Sequence, residues 1–257
     1  MKRVLTAAVL IPPTIYLIFG APTAAVVVTI VAVAAACFHE YLGLVRGFGW
    51  GTLGPFGYAA GLVVLFVPGR ALLVLTLLAL LALILSLGAA EVANVLPQAA
   101  AILFGVVYIF GAWRCAIALH GISPHWLFFA LVLNWIGDSA AYYVGRAIGK
   151  HRLAPVLSPK KSWEGAIASV VASLMFALVY LTYFKLPIAL WEIVALAVLA
   201  NVAGQLGDLC ESAIKRGAGV KDSGSTLPGH GGWLDRLDSS LFALPMIYFW
   251  LAHPWQF

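Results

Sequence analysis

Charge is what this sequence lacks. Only 10% of its 257 residues are Asp, Glu, Lys or Arg, and 63% are apolar, whereas a soluble domain carries about 25% charged residues. A soluble fold of this length leaves roughly a quarter of its unfolded surface exposed, too much to hide so many apolar side chains. An ordinary water-soluble domain is therefore excluded. Cysteine is scarce as well. Cys37, Cys115 and Cys210 lie in or beside apolar runs, which excludes a disulfide framework and a cysteine-based zinc site. They read as small hydrophobes. No GxxxxGK[ST] pattern occurs, so a P-loop is excluded. No internal repeat, linker or low-complexity tract interrupts the chain, and one membrane domain is expected over 1–257.

What is present is apolar sequence in span-sized pieces. A helix needs roughly 20 apolar residues to cross a bilayer. Nine such stretches are expected, at 4–19, 23–45, 52–67, 71–88, 97–113, 124–145, 165–184, 188–214 and 235–253. The first follows Lys2 and Arg3 as a signal peptide would, but Pro12 and Pro13 lie inside it and further spans follow at once, so it reads as an uncleaved span. The fold class is an all-α polytopic integral membrane protein.

The net charge of +5 reads as the cytoplasmic excess of Lys and Arg that orients membrane proteins, not as a nucleic-acid footprint. The loop with Arg146, Lys150, Arg152, Lys160 and Lys161 and the loop with Lys215, Arg216 and Lys221 both belong in the cytoplasm by that rule. With Lys2 and Arg3 inside, both follow an even number of spans. Nine spans then put the N-terminus in the cytoplasm and the C-terminus outside.

The few charges are concentrated. Sixteen of the 25 fall within 138–164 and 208–238. Residues 1–120 are nearly free of charge and read as scaffold, whereas 124–257 reads as the catalytic half. Asp208 and Glu211 are three apart on one helix face, with Lys215 on the same face four residues further on. Asp235 and Asp238 repeat the three-residue spacing at the start of the last span, where the helix dipole favours carboxylates. Two helices each presenting an acidic pair would repel unless a cation lay between them. Mg²⁺ is held by one or two carboxylates, waters and substrate phosphates. Asp208 and Asp235 are the first choices as ligands, with Glu211 and Asp238 completing the pairs. Internal ion pairs, Glu211 with Lys215 or an aspartate with Arg236, are the structural alternative. Charges at the membrane centre cost at least ~2.5 kcal/mol each and mark function by default, and Asp138, in an apolar helix, is a candidate on that ground.

Between the acidic pairs lies a run of glycines and basic residues, Lys215 to Gly232, of the kind that brings backbone N–H groups and countercharge to a phosphate. His230 within it could contact phosphate or metal, or be structural. In the run SPKKSWEG, Lys160 and Lys161 precede a helix that Ser162 is placed to cap, which makes an anion site. An ordinary positive-inside loop is the alternative.

The pattern Ser212-x-Ile-Lys-Arg-x4-Lys221-Asp222-x-Gly224-x2-Leu-Pro-Gly-His230-Gly-Gly-x-x-Asp235-Arg-x-Asp238 resembles the signature of the phosphatidate cytidylyltransferase (CDP-diacylglycerol synthase) family. Ser158–Gly165 and the run Asp138-x-x-Ala-Tyr-x-x-Gly-Arg-x-x-Gly-Lys resemble the same family. Two positions depart from it, Trp233 for an aliphatic residue and Ser162 for threonine. The resemblance implies that CTP and phosphatidate give CDP-diacylglycerol and pyrophosphate, a step of phospholipid biosynthesis. It also implies Mg²⁺ dependence and a homodimer in the cell (inner) membrane with its active site facing the cytoplasm. On this reading Asp208, Asp235, Asp238, Lys215 and Lys221 carry catalysis, and a second, monovalent cation such as K⁺ could share the site. Substrate contacts fall to Ser158, Lys160, Lys161, Arg216, Asp222, His230, Gly231, Gly232, Arg236 and Asp138. Two other readings stay open: a secondary transporter, which intramembrane carboxylates would suit, and a lipid kinase that transfers the γ-phosphate of CTP.

Overall fold

The computed structural model describes residues 2–67, 69, 71–226 and 231–252. Its helices are α1 (Lys2–Phe19), α2 (Thr23–Gly47), α3 (Gly54–Phe66), α4 (Ala71–Ser86), α5 (Val95–Gly105), α6 (Ala112–Ile122), α7 (Pro124–Ile148), α8 (Trp163–Tyr183), α9 (Leu190–Gly217) and α10 (Leu234–Ala252). A 3₁₀ turn leads into α5 and a π-helical segment, Val106–Gly111, joins α5 to α6, so the backbone stays helical over Val92–Ile122. Among the described residues five stretches are long and apolar enough to cross a membrane: α2, Val92–Ile122, α7, α8 and α9. The chain is a helical integral membrane protein. Each expected apolar stretch overlaps a helix, with residue 253 of the last one outside the described residues, and the differences have local causes. The stretch expected at 97–113 continues to Ile122 because Arg114 does not end it. The Arg114 guanidinium donates to the Val64 carbonyl, 2.9 Å away in the last turn of α3, where helical carbonyls have no partner of their own. The loop expected between α7 and α8 contains a short antiparallel hairpin, β1 (Arg152–Ala154) and β2 (Ser158–Ser162), with Arg152 opposite Ser162 and Ala154 opposite Ser158.

The chain resolves into two compact units, 1–117 with 214–237 and 118–213 with 238–257. The first is built around aromatic rings of α2. Phe38 is fully buried, with ring centroids 5.2 Å from those of Tyr58 and Phe110. Tyr41 stacks on Phe38 and donates its hydroxyl proton to the Ala101 carbonyl at 2.8 Å. Gly57, Gly61 and Gly105 lie against the rings of Phe38, Phe110 and Tyr41, with which any Cβ would collide. Small residues allow helices to approach closely when lipid offers no hydrophobic drive for association.

The second unit is organised by the α7–α8 pair. Pro124 sits in the first turn of α7, where a missing N–H costs nothing, and the Ser123 side chain caps that turn. Ser162 caps α8 as expected, accepting from the Gly165 amide at 3.2 Å. Phe129, Phe176 and Tyr180 form the aromatic core, and the Tyr180 hydroxyl lies 2.9 Å from His125 Nδ1. At the other end of the pair, a Cβ on Gly165 would meet the Ala141 carbonyl at 2.8 Å and the Gly145 Cα at 3.3 Å. The two backbones therefore touch where the α7–β1–β2–α8 connection begins.

Candidate active site

In the second unit that close approach opens into a cavity of about 730 Å³. Four cationic side chains line it, Arg146 from α7, Arg152 from β1, and Lys160 and Lys161 from β2, with the carboxylates of Asp138 and Asp208. The excess of positive charge suits a phosphorylated ligand, and the size is typical of a small-molecule site. Lys161 Nζ lies 2.5 Å from Asp208 Oδ2. The hairpin that carries the lysines is anchored to α8: His151 donates its amide to Glu164 at 3.3 Å, its ring Nδ1 lies 2.7 Å from Glu164 Oε1, and the Trp163 amide donates to the His151 carbonyl. Glu164 sits in the first turn of α8, where the helix dipole stabilises it.

The cavity floor is polar, which was not foreseen. Gln205 lines it and donates to the Ala166 carbonyl at 3.2 Å and to Asn201 Oδ1 at 2.7 Å. Asn201 in turn donates to Ser169 Oγ (3.0 Å) and Ser173 Oγ (2.9 Å). These uncharged residues carry no motif. Their only signal is spacing, since Ser169 and Ser173, like Asn201 and Gln205, are four apart and share a helix face. Elsewhere in this unit Glu211 is fully buried, and buried Asp238 accepts from the Ser239 amide at 2.7 Å. Ser158 is half-buried in β2 and is not among the cavity-lining residues.

The first unit holds a second constellation. Asp235, whose side chain is 4% exposed, accepts from Lys215 Nζ at 2.5 Å through Oδ1. Its Oδ2 accepts from the Ser223 amide (2.9 Å) and the Gly232 amide (2.8 Å), with Ser223 Oγ at 3.0 Å. Gly231 has φ +80°, the left-handed conformation that glycine adopts without strain. A side chain on Gly232 would run into Glu40 Oε2 and Ser223 Oγ. Lys221, Asp222, Arg216 and Arg236 are exposed, and Arg216 Nη1 donates to the Val220 carbonyl at 3.1 Å. His230 lies outside the described residues. Glu40, in α2, was missed altogether because the chain's first half read as scaffold. The available signal was a single carboxylate in an apolar helix, CFHEYLGL.

As Mg²⁺ ligands the acidic residues differ. Among the described residues no three His, Cys, Asp or Glu side chains close into a metal cluster. Asp138 and Asp208 present hard oxygen donors to a cavity with room for waters and phosphates, which fits an ion that takes only one or two protein carboxylates. Asp235 fits less readily. Both its oxygens already accept protein donors, and the Lys215 ammonium stands where a cation would approach Oδ1.

The fold and cavity thus describe a helical membrane protein with a cationic, carboxylate-bearing cavity. Comparison with known proteins narrows it: the model of the cytidylyltransferase family matches residues 1–253, and the chain belongs to that family. Among similar proteins, a phosphatidate cytidylyltransferase of Bacillus subtilis is 42% identical over 154 residues, 59% of this chain and 57% of the relative. Phosphatidate cytidylyltransferases of Staphylococcus saprophyticus and Staphylococcus haemolyticus are each 41% identical over 150 residues, 58% of either chain. The matched segment thus spans less than two thirds of these relatives.

Proposed function

We propose that this protein transfers a cytidylyl group from CTP to phosphatidate, giving CDP-diacylglycerol and pyrophosphate in phospholipid synthesis. The observation that carries the reading is the cavity that Arg146, Arg152, Lys160 and Lys161 line together with Asp138 and Asp208. Family membership and the names of the relatives support it.

In the reaction a phosphate oxygen of phosphatidate forms a bond to the α-phosphorus of CTP, and the bond from that phosphorus to the pyrophosphate oxygen breaks. The attacking phosphate is ionised near neutral pH, so the protein needs no strong base. Its task is alignment and neutralisation of charge. Lys160, Lys161, Arg146 and Arg152 supply that countercharge in the cavity. Arg216 and Lys221 are exposed phosphate contacts in the proposal, and Lys215 acts from its pairing with Asp235. Ser158, Asp222, His230, Gly231, Gly232 and Arg236 are further substrate contacts in the proposal. Bound Mg²⁺ supplies further neutralisation of the phosphates and polarises the phosphorus under attack. Asp208 and Asp138 are the residues proposed to hold it, followed by Asp235, Glu211 and Asp238. A monovalent cation such as K⁺ is proposed as a second ion.

The same reading proposes nine spans in the cell (inner) membrane, with the N-terminus and active site cytoplasmic and the C-terminus outside, in keeping with the Lys/Arg distribution, and pairs the chain as a homodimer. The test is turnover by the purified protein in phosphatidate-containing micelles, with and without Mg²⁺. Label from α-labelled CTP should enter lipid, and label from γ-labelled CTP should leave as pyrophosphate. Entry of γ-label into lipid would make the protein a lipid kinase instead, and no CTP turnover under either label would remove the enzyme reading.

A further inference from the structure

Glu40 is 5% exposed in an apolar helix, yet its carboxylate is fully engaged. Oε1 accepts from Thr226 Oγ1 at 2.7 Å and the Trp233 amide at 3.0 Å. Oε2 accepts from the Leu234 amide at 2.9 Å and lies 3.0 Å from Ser223 Oγ. The Trp233 and Leu234 amides open α10, whose first N–H groups have no partner within the helix. A residue 193 positions away in sequence therefore caps α10, with the negative charge that a helix N-terminus favours. The remaining contacts hold the chain that precedes α10. Burying a carboxylate in an apolar helix is offset only when its lone pairs are filled, and here four donors surround the two oxygens. Gly224 and Gly232 both lie against this carboxylate so closely that a Cβ on either would crowd it.

The Ser223 hydroxyl stands 3.0 Å from both Glu40 Oε2 and Asp235 Oδ2. It has one proton to share between the two carboxylates, so a change at Glu40 alters what Asp235 receives. We propose that Glu40 is a positioning residue for the Asp235–Lys215 pair, acting through Ser223 and the first turn of α10. The proposal rests on the cytidylyl-transfer reading for what the pair does, but the geometry it asserts does not.

The substitution Glu40→Gln is nearly isosteric but must turn an NH₂ toward one of two backbone N–H donors, which cannot reverse. Hydrogen bonds to charged groups are worth more than neutral ones, so kcat should fall by about tenfold or more. The KM values for CTP and phosphatidate should move by less than about threefold, as expected when positioning and not ground-state binding is lost. Glu40→Asp keeps both oxygens and should recover part of the loss. Adding Ser223→Ala to Glu40→Gln should cost little beyond the worse single variant, because both act on one route. Folded Glu40→Gln protein with wild-type kcat, or fully multiplicative losses in the double variant, would overturn the proposal.

Hydrogen exchange separates this outcome from failure of the functional reading. Even in a protein that does not turn over CTP, Glu40→Gln should speed exchange of the Trp233 and Leu234 amides by about tenfold, with α7 and α8 unchanged. Unchanged exchange there would refute the cap. If Glu40→Gln does not fold, Thr226→Val and Ser223→Ala each remove one donor while keeping the carboxylate, and the same readouts decide.

Discussion

The Lys161 ammonium lies 2.5 Å from an Asp208 carboxylate oxygen, and both side chains line the same cavity. Each is more than a quarter exposed, and exposed pairs contribute about 0–1 kcal/mol to stability. Their juxtaposition therefore serves the cavity more than the fold. Asp208→Asn should lower turnover by about a hundredfold or more, the scale of losing one charge-stabilising group at a reacting centre, and Lys161→Ala should raise the KM for a phosphorylated substrate. Both should melt within a few degrees of the parent. Steady-state kinetics beside thermal unfolding in detergent check this, and near-normal turnover of folded Asp208→Asn would refute the assignment.

The pair formed by Lys215 and Asp235 has the same 2.5 Å separation but is shielded, with side chains 11% and 4% exposed. Removing one member of a buried pair strands the other, at about 3 kcal/mol. Lys215→Ala should thus destabilise the protein clearly more than Lys161→Ala. Lys215→Met combined with Asp235→Asn should recover part of the loss, because no charge is then left behind. Denaturant unfolding of the four proteins measures the difference.

What could be read in advance follows from the kind of signal each feature leaves. Apolar runs located the helices because a bilayer-spanning helix must satisfy its backbone internally and face lipid with apolar side chains. The lysines of SPKKSWEG and Asp138 share a cavity with Asp208, and clustered charge in an apolar chain was the clue. Arg146, noted as a topogenic charge and within the run that resembles the family, and Arg152, noted only as a topogenic charge, line the same cavity. Glu40 escaped because its partners are backbone amides and hydroxyls nearly two hundred residues away, and no local pattern encodes such a contact. Asp235 was chosen as a ligand from its spacing and its place at a helix N-terminus, and neither signal shows that Lys215, Ser223 and Gly232 donate to its oxygens. Spacing states which face a carboxylate shares but not which donors fold onto it.

The α7–α8 contact gives a packing prediction. A methyl at Gly165 would meet the Ala141 carbonyl oxygen and the Gly145 Cα, backbone atoms that cannot swing aside. Overpacking of this kind costs about 1–3 kcal/mol, and parting the helices would widen the cavity and lower activity. Gly121, in α6, has open space at its Cβ position, so Gly121→Ala should instead stabilise by about 0.5–1 kcal/mol through helix propensity. Opposite signs for the two Gly→Ala changes, read by thermal unfolding, are the expected result.

Asn201 offers the sharpest test of the polar floor. It is 2% exposed, its amide serves Ser169 and Ser173, and its oxygen holds Gln205, which reaches the cavity. Asn201→Leu fills the volume but removes all three bonds. Each stranded buried group would cost about 1–3 kcal/mol in a water-soluble core, whereas hydrogen bonds between membrane helices average only about 0.6 kcal/mol because the unfolded state in lipid also finds partners. The second effect should win for stability, leaving a loss of about 1–2 kcal/mol from the two bonds that cross to α8. Activity should suffer more, since Gln205 loses the contact that aims its amide. Ser173→Ala is the discriminating control. Its hydroxyl also donates to the Leu133 carbonyl at 3.0 Å and is not among the groups lining the cavity, so its removal should lower stability slightly while leaving the KM for CTP unchanged. Equal effects of Asn201→Leu and Ser173→Ala on KM would show that the ladder does not orient Gln205.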